Sequence, residues 1–509
     1  MLSAAIVEHA ALGFAFAVLS LFVLAFAVIA VVLLTISHSC WYRCDAEGDP
    51  LMEDYNTLFS DANVETGEPI ETVVGYTPKH ADIVKYIKPK MQGRQDSSRA
   101  QKTLDPSLRS DGHTRKKHQD MDWYHGLLPR ADINTLLEHD GDFLVRTSHI
   151  VGQDTAKTVL SVKWKGKCHH WQLQEKEDGS IVIEDRKFES VLDMVTTLRL
   201  KRLPVSSNCP ALLLNPINKQ EWELRHDQIV LGKMLGEGAF GGVYKAAFYC
   251  KGEKRMVAVK VNKGNEKIST RNMIEDVCKE ARIMRQYQHP NVVLFYGVCV
   301  EREPIMLVME LANQGALDSY LRNEKNTVSL RDKLKYSFDA SKGLEYLHQH
   351  GCIHRDVAAR NFLMHKNVVK ITDFGLSKQL SDLAHKYKLK DIQTKLPIRW
   401  LAPEVLVTAT YTFKSDVYSF GILLWEIFMD GAIPYPGLKL PEVRQKVKTG
   451  YRMDAPDRMP TFVRNIMLNM CWPQEPEDRG NMNEIRTAME SVLDGKVGAS
   501  NNRSVYYRA

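Results

Sequence analysis

The chain carries little excess charge, since 68 Lys and Arg stand against 62 Asp and Glu, leaving +6 over 509 residues. So weak a balance gives no electrostatic case for nucleic acid as a partner. None of the nine cysteines stands in a Cys-x-x-Cys pair, and their number is odd, so no zinc site is indicated. Scattered thiols fit a reducing compartment. No internal repeat is visible. Charged residues are wholly absent between Ala10 and Ile36, a run dense in Ala, Val, Leu, Ile and Phe.

That run is what the sequence has in place of charge. A bilayer-spanning helix needs about 20 apolar residues, so 10–36 is long enough to cross with some tilt. A cleaved signal peptide is the alternative, but its apolar region is normally about 7–15 residues behind a basic segment. Here the run is longer, and Glu8 and His9 precede it. Arg43 is the one basic residue close to either flank, which places the long C-terminal part on the cytoplasmic side of a single-pass membrane protein. Cys40 and Cys44 lie at the membrane edge, either palmitoylated or as plain thiols. Residues 37–120 mix Gly, Pro, Ser and charge without periodicity and read as a disordered linker. Residues 494–509 read as a flexible tail.

From Trp123 the pattern changes. "WYHGLLPRADINTLL" runs from aromatics into an amphipathic helical spacing, "GDFLVRTS" is an apolar strand, and further strands and a second helix follow. Arg146 sits inside the apolar strand, and a buried cation needs its charge met. Arg suits a phosphate, which it meets with two parallel hydrogen bonds. "WYHG", Arg130, "FLVR" and "HHW" together resemble the SH2 domain, a phosphotyrosine reader, over 121–214. The resemblance implies that Arg146 grips the phosphate, that Arg130 and Ser148 add contacts, and that His170 orients Arg146. Thr147 and Trp171 depart from the usual pattern at the pocket rim.

The segment 229–493 carries the chemistry. Gly236, Gly238 and Gly241 form G-x-G-x-x-G, which alone is shared with dinucleotide sites. Those sites begin a helix at once. Here two strands and a polar turn follow, which makes a glycine-rich hairpin laid over phosphates. "VAVK" places Lys260 on the next strand to meet the α- and β-phosphates, with Glu280 as its partner and Glu275 as the runner-up. In "CIHRDVAARN", Asp356 is placed to take or orient the proton of an attacking hydroxyl, while Asn361 and Asp373 of "DFG" supply hard oxygen ligands for Mg²⁺. His354 and Phe374 read as packing residues, and Arg355 as the partner of an anion on the loop beyond "DFG".

These parts resemble the protein kinase catalytic domain, in full and in order. The resemblance implies two lobes with ATP between them. It implies an ATP pocket of Leu235, Gly236, Glu237, Gly238, Ala239, Phe240, Gly241, Val243, Ala258 and Lys260, closed by Glu280, Met309, Glu310, Ala312 and Leu363. It also pairs Glu404 with Arg479 and makes Asp416 a brace for the catalytic loop. "DVAARN" and "KLPIRWLAPE" are similar to tyrosine kinases, where Arg360 helps position the substrate ring and Tyr387 is the loop autophosphorylation site. The order of the two domains resembles the Fes/Fer branch. The expectation is therefore an α+β chain: one N-terminal transmembrane helix, an SH2 domain, then a bilobal kinase. It would phosphorylate tyrosines of protein substrates and bind phosphotyrosine-containing proteins at a membrane. A catalytically silent adaptor is the other class, disfavoured because Lys260, Asp356, Asn361 and Asp373 are all present.

Overall fold

In the structure, a computed structural model, residues 117–149, 156–238, 241–262, 270–380, 386–389 and 396–494 are described. The apolar run 10–36, the thiols at 40 and 44, the linker up to 116 and the tail from 495 lie outside them. Among the described residues no helix is long and apolar enough to cross a membrane. Residues 110–509 make one compact unit.

Its first part is a small α+β layer. Helix α1 (Arg130–Leu136) precedes strands β1 (Asp142–His149), β2 (Ala156–Trp164) and β3 (Lys167–Gln172). A second small sheet follows, from β4 (Gln174–Glu175), β5 (Ile181–Ile183) and β6 (Arg186–Phe188), then helix α2 (Val191–Leu200). Ser190 caps α2 by accepting the Asp193 N–H at 3.1 Å, which satisfies one of the donors a helix start leaves open. The main sheet has the order β3-β2-β1-β7, where β7 is Asn215–Pro216 and runs parallel to β1. That strand lies just past the boundary at 214. Two residues ending in Pro show no alternation, so sequence pattern cannot register them.

The rest divides into two lobes. The first is a six-stranded sheet, order β8-β12-β13-β11-β10-β9. Its strands are β8 (Glu223–Leu224), β9 (Ile229–Gly238), β10 (Gly241–Cys250), β11 (Glu253–Asn262), β12 (Phe295–Cys299) and β13 (Met306–Glu310), with helix α3 (Thr270–Met284) between β11 and β12. The second is mostly helical. It opens with α4 (Leu317–Asn323) and α5 (Leu330–Gln349), then turns through the short strands β14 (Cys352–Ile353), β15 (Phe362–His365), β16 (Val368–Ile371), β17 (Lys378–Gln379) and β18 (Tyr387–Lys388). It continues through α6 (Pro403–Thr408), β19 (Thr410–Tyr411), α7 (Phe413–Phe428), α8 (Leu440–Lys448), α9 (Thr461–Asn465) and α10 (Met482–Leu493). Helix α7 is buried on every side from Ser415 to Phe428, its Asp416 and Glu426 included. It is the axis on which this lobe packs, a central helix whose few polar side chains are buried with the rest.

The two parts share a core. Leu127, Leu128, Ile133, Leu137 and Leu144 of the first join the same apolar cluster as Ile274, Val277, Cys278 and Ala281 of α3. Each Leu, Ile or Val among them, when fully buried, contributes about 1.5–3 kcal/mol. The contact is close enough to dictate a glycine. Gly126 has φ +56°, and a Cβ there would lie 2.2 Å from the Val300 carbonyl oxygen, which accepts the Leu127 N–H at 2.7 Å.

Candidate active site

Register places the cleft. Directly opposed residues of an antiparallel pair lie on the same face, and faces alternate with period two. Val243 opposes both Gly236 and Lys260. Lys260 opposes Leu307, and Ala258 opposes Met309. Gly236, Val243, Ala258, Lys260 and Met309 therefore line one face of the sheet. Leu363, on β15 of the second lobe, packs on the cluster that holds Ala258 and Met309. Leu235 and Glu237 flank Gly236 on β9, and Gly241 opposes Gly238 at the start of β10. Ala239 and Phe240, the tip of the hairpin, lie outside the described residues. Gly241 has φ +145°, and a Cβ there would meet the Val261 carbonyl oxygen at 2.1 Å, so only glycine lets β10 lie this close to β11.

Glu310 ends β13 with its carboxylate 3.0 Å from Lys370 Nζ on β16, and it accepts the Leu294 N–H at 3.2 Å. One side chain thus ties the crossing segment to both lobes. Ala312 follows it, half-buried.

Lys260 Nζ lies 3.0 and 2.8 Å from the two Glu280 oxygens and 3.6 Å from Asp373 Oδ1. Glu275 instead points to solvent, where it accepts from Arg271 at 3.2 Å. Burial works against the Lys260 charge, but Glu280 and Asp373 outweigh it and hold the ammonium above its usual range. Burial likewise pushes Asp373 up, but Lys260, the Gly375 N–H and His354 together outweigh it, so its carboxylate is held low. Phe374 beside it is fully buried, edge-on to His354 at 5.4 Å.

The catalytic segment is fixed from beneath. Asp416 of α7 accepts the backbone N–H groups of His354 and Arg355 at 2.7 and 2.9 Å. Glu426, further along α7, accepts the Ala359 N–H at 2.9 Å and Trp400 Nε1–H at 3.0 Å. Arg360 donates to Asp356 Oδ1, and its guanidinium stacks 4.2 Å over the Trp400 ring. Burial pushes the Asp356 carboxyl up against the pull of Arg360 and His354. Asn361 Nδ2 donates to the Asp356 carbonyl at 2.8 Å, which leaves its amide oxygen for another partner. With the Asp373 carboxylate this makes a pair of hard oxygen donors, the type that Mg²⁺ takes. Arg479, fully buried, meets Glu404 through two hydrogen bonds of 2.9 and 2.8 Å. Arg355 donates to the Leu376 carbonyl at 2.8 Å, and Tyr387 lies under its guanidinium at 4.7 Å.

The second cluster belongs to the N-terminal layer. Arg146 on β1 is 2% exposed, and its Nε has no hydrogen-bond partner. Burial, then Arg130 and Arg271, push the guanidinium down to about 10. His170 on β3 bonds Ser161 Oγ through Nδ1 at 2.9 Å, and among the described residues no hydrogen bond joins it to Arg146. Burial, with Arg146 and Arg130, brings it down to about 4. Ser148 is half-buried near the end of the same strand.

Glu426 was not singled out from sequence, nor were Asp132 of α1 and Arg282 of α3, which pair through two hydrogen bonds. Glu426 sits in an apolar helical run, "FGILLWEIF". A lone carboxylate there is the signal that could have flagged it.

Comparison with known proteins agrees with this layout. The family model for protein tyrosine and serine/threonine kinases matches residues 229–489, and that for the SH2 domain matches 123–198. Tyrosine-protein kinase Fer of Homo sapiens is 39% identical over 375 residues, covering 73% of this chain and 44% of Fer. Fer-related kinase 1 of Caenorhabditis elegans is 37% identical over 402 residues, covering 77% of this chain and 99% of that protein. The transforming protein Fps of Fujinami sarcoma virus is 36% identical over 376 residues, covering 73% of this chain and 41% of Fps. The chain thus spans less than half the length of Fer and Fps and nearly all of the nematode relative. It belongs to the protein tyrosine and serine/threonine kinase family, as a Fer-like member with an SH2 domain ahead of the catalytic domain.

Proposed function

We propose that this chain is a membrane-anchored protein-tyrosine kinase that moves the γ-phosphoryl group of ATP to tyrosine hydroxyls of proteins and docks phosphotyrosine partners through Arg146. The carrying observation is the convergence of Lys260, Glu280 and Asp373 within 3.6 Å at the mouth of the cleft. Lys260, kept cationic by two carboxylates, stabilises charge on the ATP phosphates. Asn361 and Asp373 are the residues that would hold Mg²⁺, which supplies further charge neutralisation there. Asp356 accepts or orients the hydroxyl proton, and Arg360 holds that carboxylate while it rests on Trp400. The reaction needs positioning and electrostatic stabilisation more than covalent chemistry, and this site offers both. The uncharged run 10–36 supports insertion into a membrane, with the catalytic unit on the cytoplasmic side.

The test is a kinase assay on the full chain in detergent micelles, with Mg-ATP and a Glu-Tyr copolymer, beside Asp356→Asn. Tyrosine phosphate formed by the wild type and reduced at least ~100-fold in the variant is the expected result. If neither forms product while both bind a phosphotyrosine peptide, the chain is an adaptor and the catalytic reading is wrong. Membrane insertion is checked separately by alkaline extraction of expressing cells. Release of the chain into the soluble fraction overturns the anchor.

A further inference from the structure

Among the described residues no carboxylate pairs with Arg146. Arg146 is buried and its Nε is unpartnered, and the neighbouring charges that weigh on it are Arg130 and Arg271, both cations. Arg271 does not belong to the SH2 layer. It stands in the first turn of α3, the kinase helix that carries Glu280, and α3 packs against β1, the strand that carries Arg146. The charge is also badly placed for its own helix. A helix start is electropositive and favours acidic residues, yet the first turn of α3 has none. The partner of Arg271 among the described residues is Glu275, at 3.2 Å, with both side chains about half exposed. Such a surface pair holds little. Leu144, two residues from Arg146 and on the same face of β1, joins the apolar cluster of Ile274 and Val277, so the face of β1 that carries Arg146 is turned to α3.

We propose that Arg271 of α3 supplies the third guanidinium of the phosphotyrosine seat, so that the aryl phosphate is shared between the SH2 layer and the kinase helix. The inference rests on Arg146 being the phosphate-binding residue, and it adds a contributor from the other domain. A phosphate monoester carries about −1.5 to −2 charges at neutral pH, enough to neutralise most of what three guanidinium groups bring. Its arrival replaces repulsion among Arg130, Arg146 and Arg271 with attraction. The same helix holds Glu280 against Lys260.

Binding of phenyl phosphate to the full chain, followed by calorimetry, tests this. Arg271→Gln should weaken binding about three- to tenfold, the range of one partly exposed charge-assisted hydrogen bond. Glu275→Gln, which frees Arg271, should strengthen it about twofold. Arg146→Ala should abolish it. If Arg271→Gln and Glu275→Gln both bind as wild type while Arg146→Ala does not, the shared seat is wrong and the SH2 reading stands. If wild type and Arg146→Ala bind equally weakly, the SH2 reading fails and takes this proposal with it. Should Arg271→Gln melt at a lower temperature than wild type, the Glu275→Gln arm decides alone, because its effect has the opposite sign to damage.

Discussion

Arg282 of α3 holds Asp132 of α1 by two hydrogen bonds, 2.9 Å from Nε and 2.6 Å from Nη2. The carboxylate is 2% exposed and the guanidinium 28%. An SH2 helix and the kinase helix that carries Glu280 are thereby joined at one buried charge, with Arg285 at 3.9 Å as a second cation. Arg285 in turn stacks 4.6 Å over Trp222 of the segment between the domains.

Removing that carboxylate leaves two cations facing each other. Asp132→Ala is expected to destabilise the joined unit by about 1–3 kcal/mol, less than for a fully buried pair because Arg282 is partly solvated. The SH2 layer should then melt before the kinase. Urea unfolding followed by tryptophan fluorescence would show two transitions where the wild type shows one.

Gly126 gives an independent handle on the same contact. Alanine there must adopt a positive φ and would place Cβ 2.2 Å from the Val300 oxygen. Gly126→Ala should cost more than about 1 kcal/mol and expose the 214–229 connection to trypsin. Unchanged proteolysis would show that the interface can slide.

Glu426 makes a prediction about pH. It is buried, and desolvation pushes its carboxyl up to about 7 despite the bonds from Trp400 and Ala359. A carboxyl raised in the folded state favours folding most fully below its unfolded value, near 4.5, and loses that contribution as pH rises through 7. The difference amounts to roughly 3 kcal/mol. Glu426→Gln keeps an oxygen acceptor for both donors and removes the titration. The fall in stability between pH 5 and 8 should be smaller in the variant, as measured by denaturation at each pH.

Arg355 is expected to link Tyr387 to turnover. Its Nε and Nη2 lack hydrogen-bond partners, and its guanidinium lies 4.7 Å from the Tyr387 ring and 4.4 Å from Tyr411. A phosphate on Tyr387 would offer those donors a dianion. Preincubation with ATP should raise kcat in the wild type and fail to do so in Tyr387→Phe or Arg355→Ala. Mass spectrometry of the loop peptide checks that phosphate is present in the wild type and in Arg355→Ala.

Sequence alone determined what is contiguous. The glycine hairpin, the spacing from Asp356 to Asn361, "DFG" and the Arg146 strand are each built by neighbours in the chain, and each chemistry constrains a few adjacent positions, so they can be read without a fold. Tertiary structure decided what depends on distant elements meeting. It put Glu280, the first choice from sequence, and not the runner-up Glu275 against Lys260, because α3 turns one face to the cleft and the other to water. It placed Glu426 beneath the catalytic loop, 67 residues from Ala359 in sequence. It joined Asp132 to Arg282 across 150 residues and made Gly126 a contact residue as well as a turn residue. Pairings over such separations leave no local period, because the order along the chain carries no information on which faces will share a core.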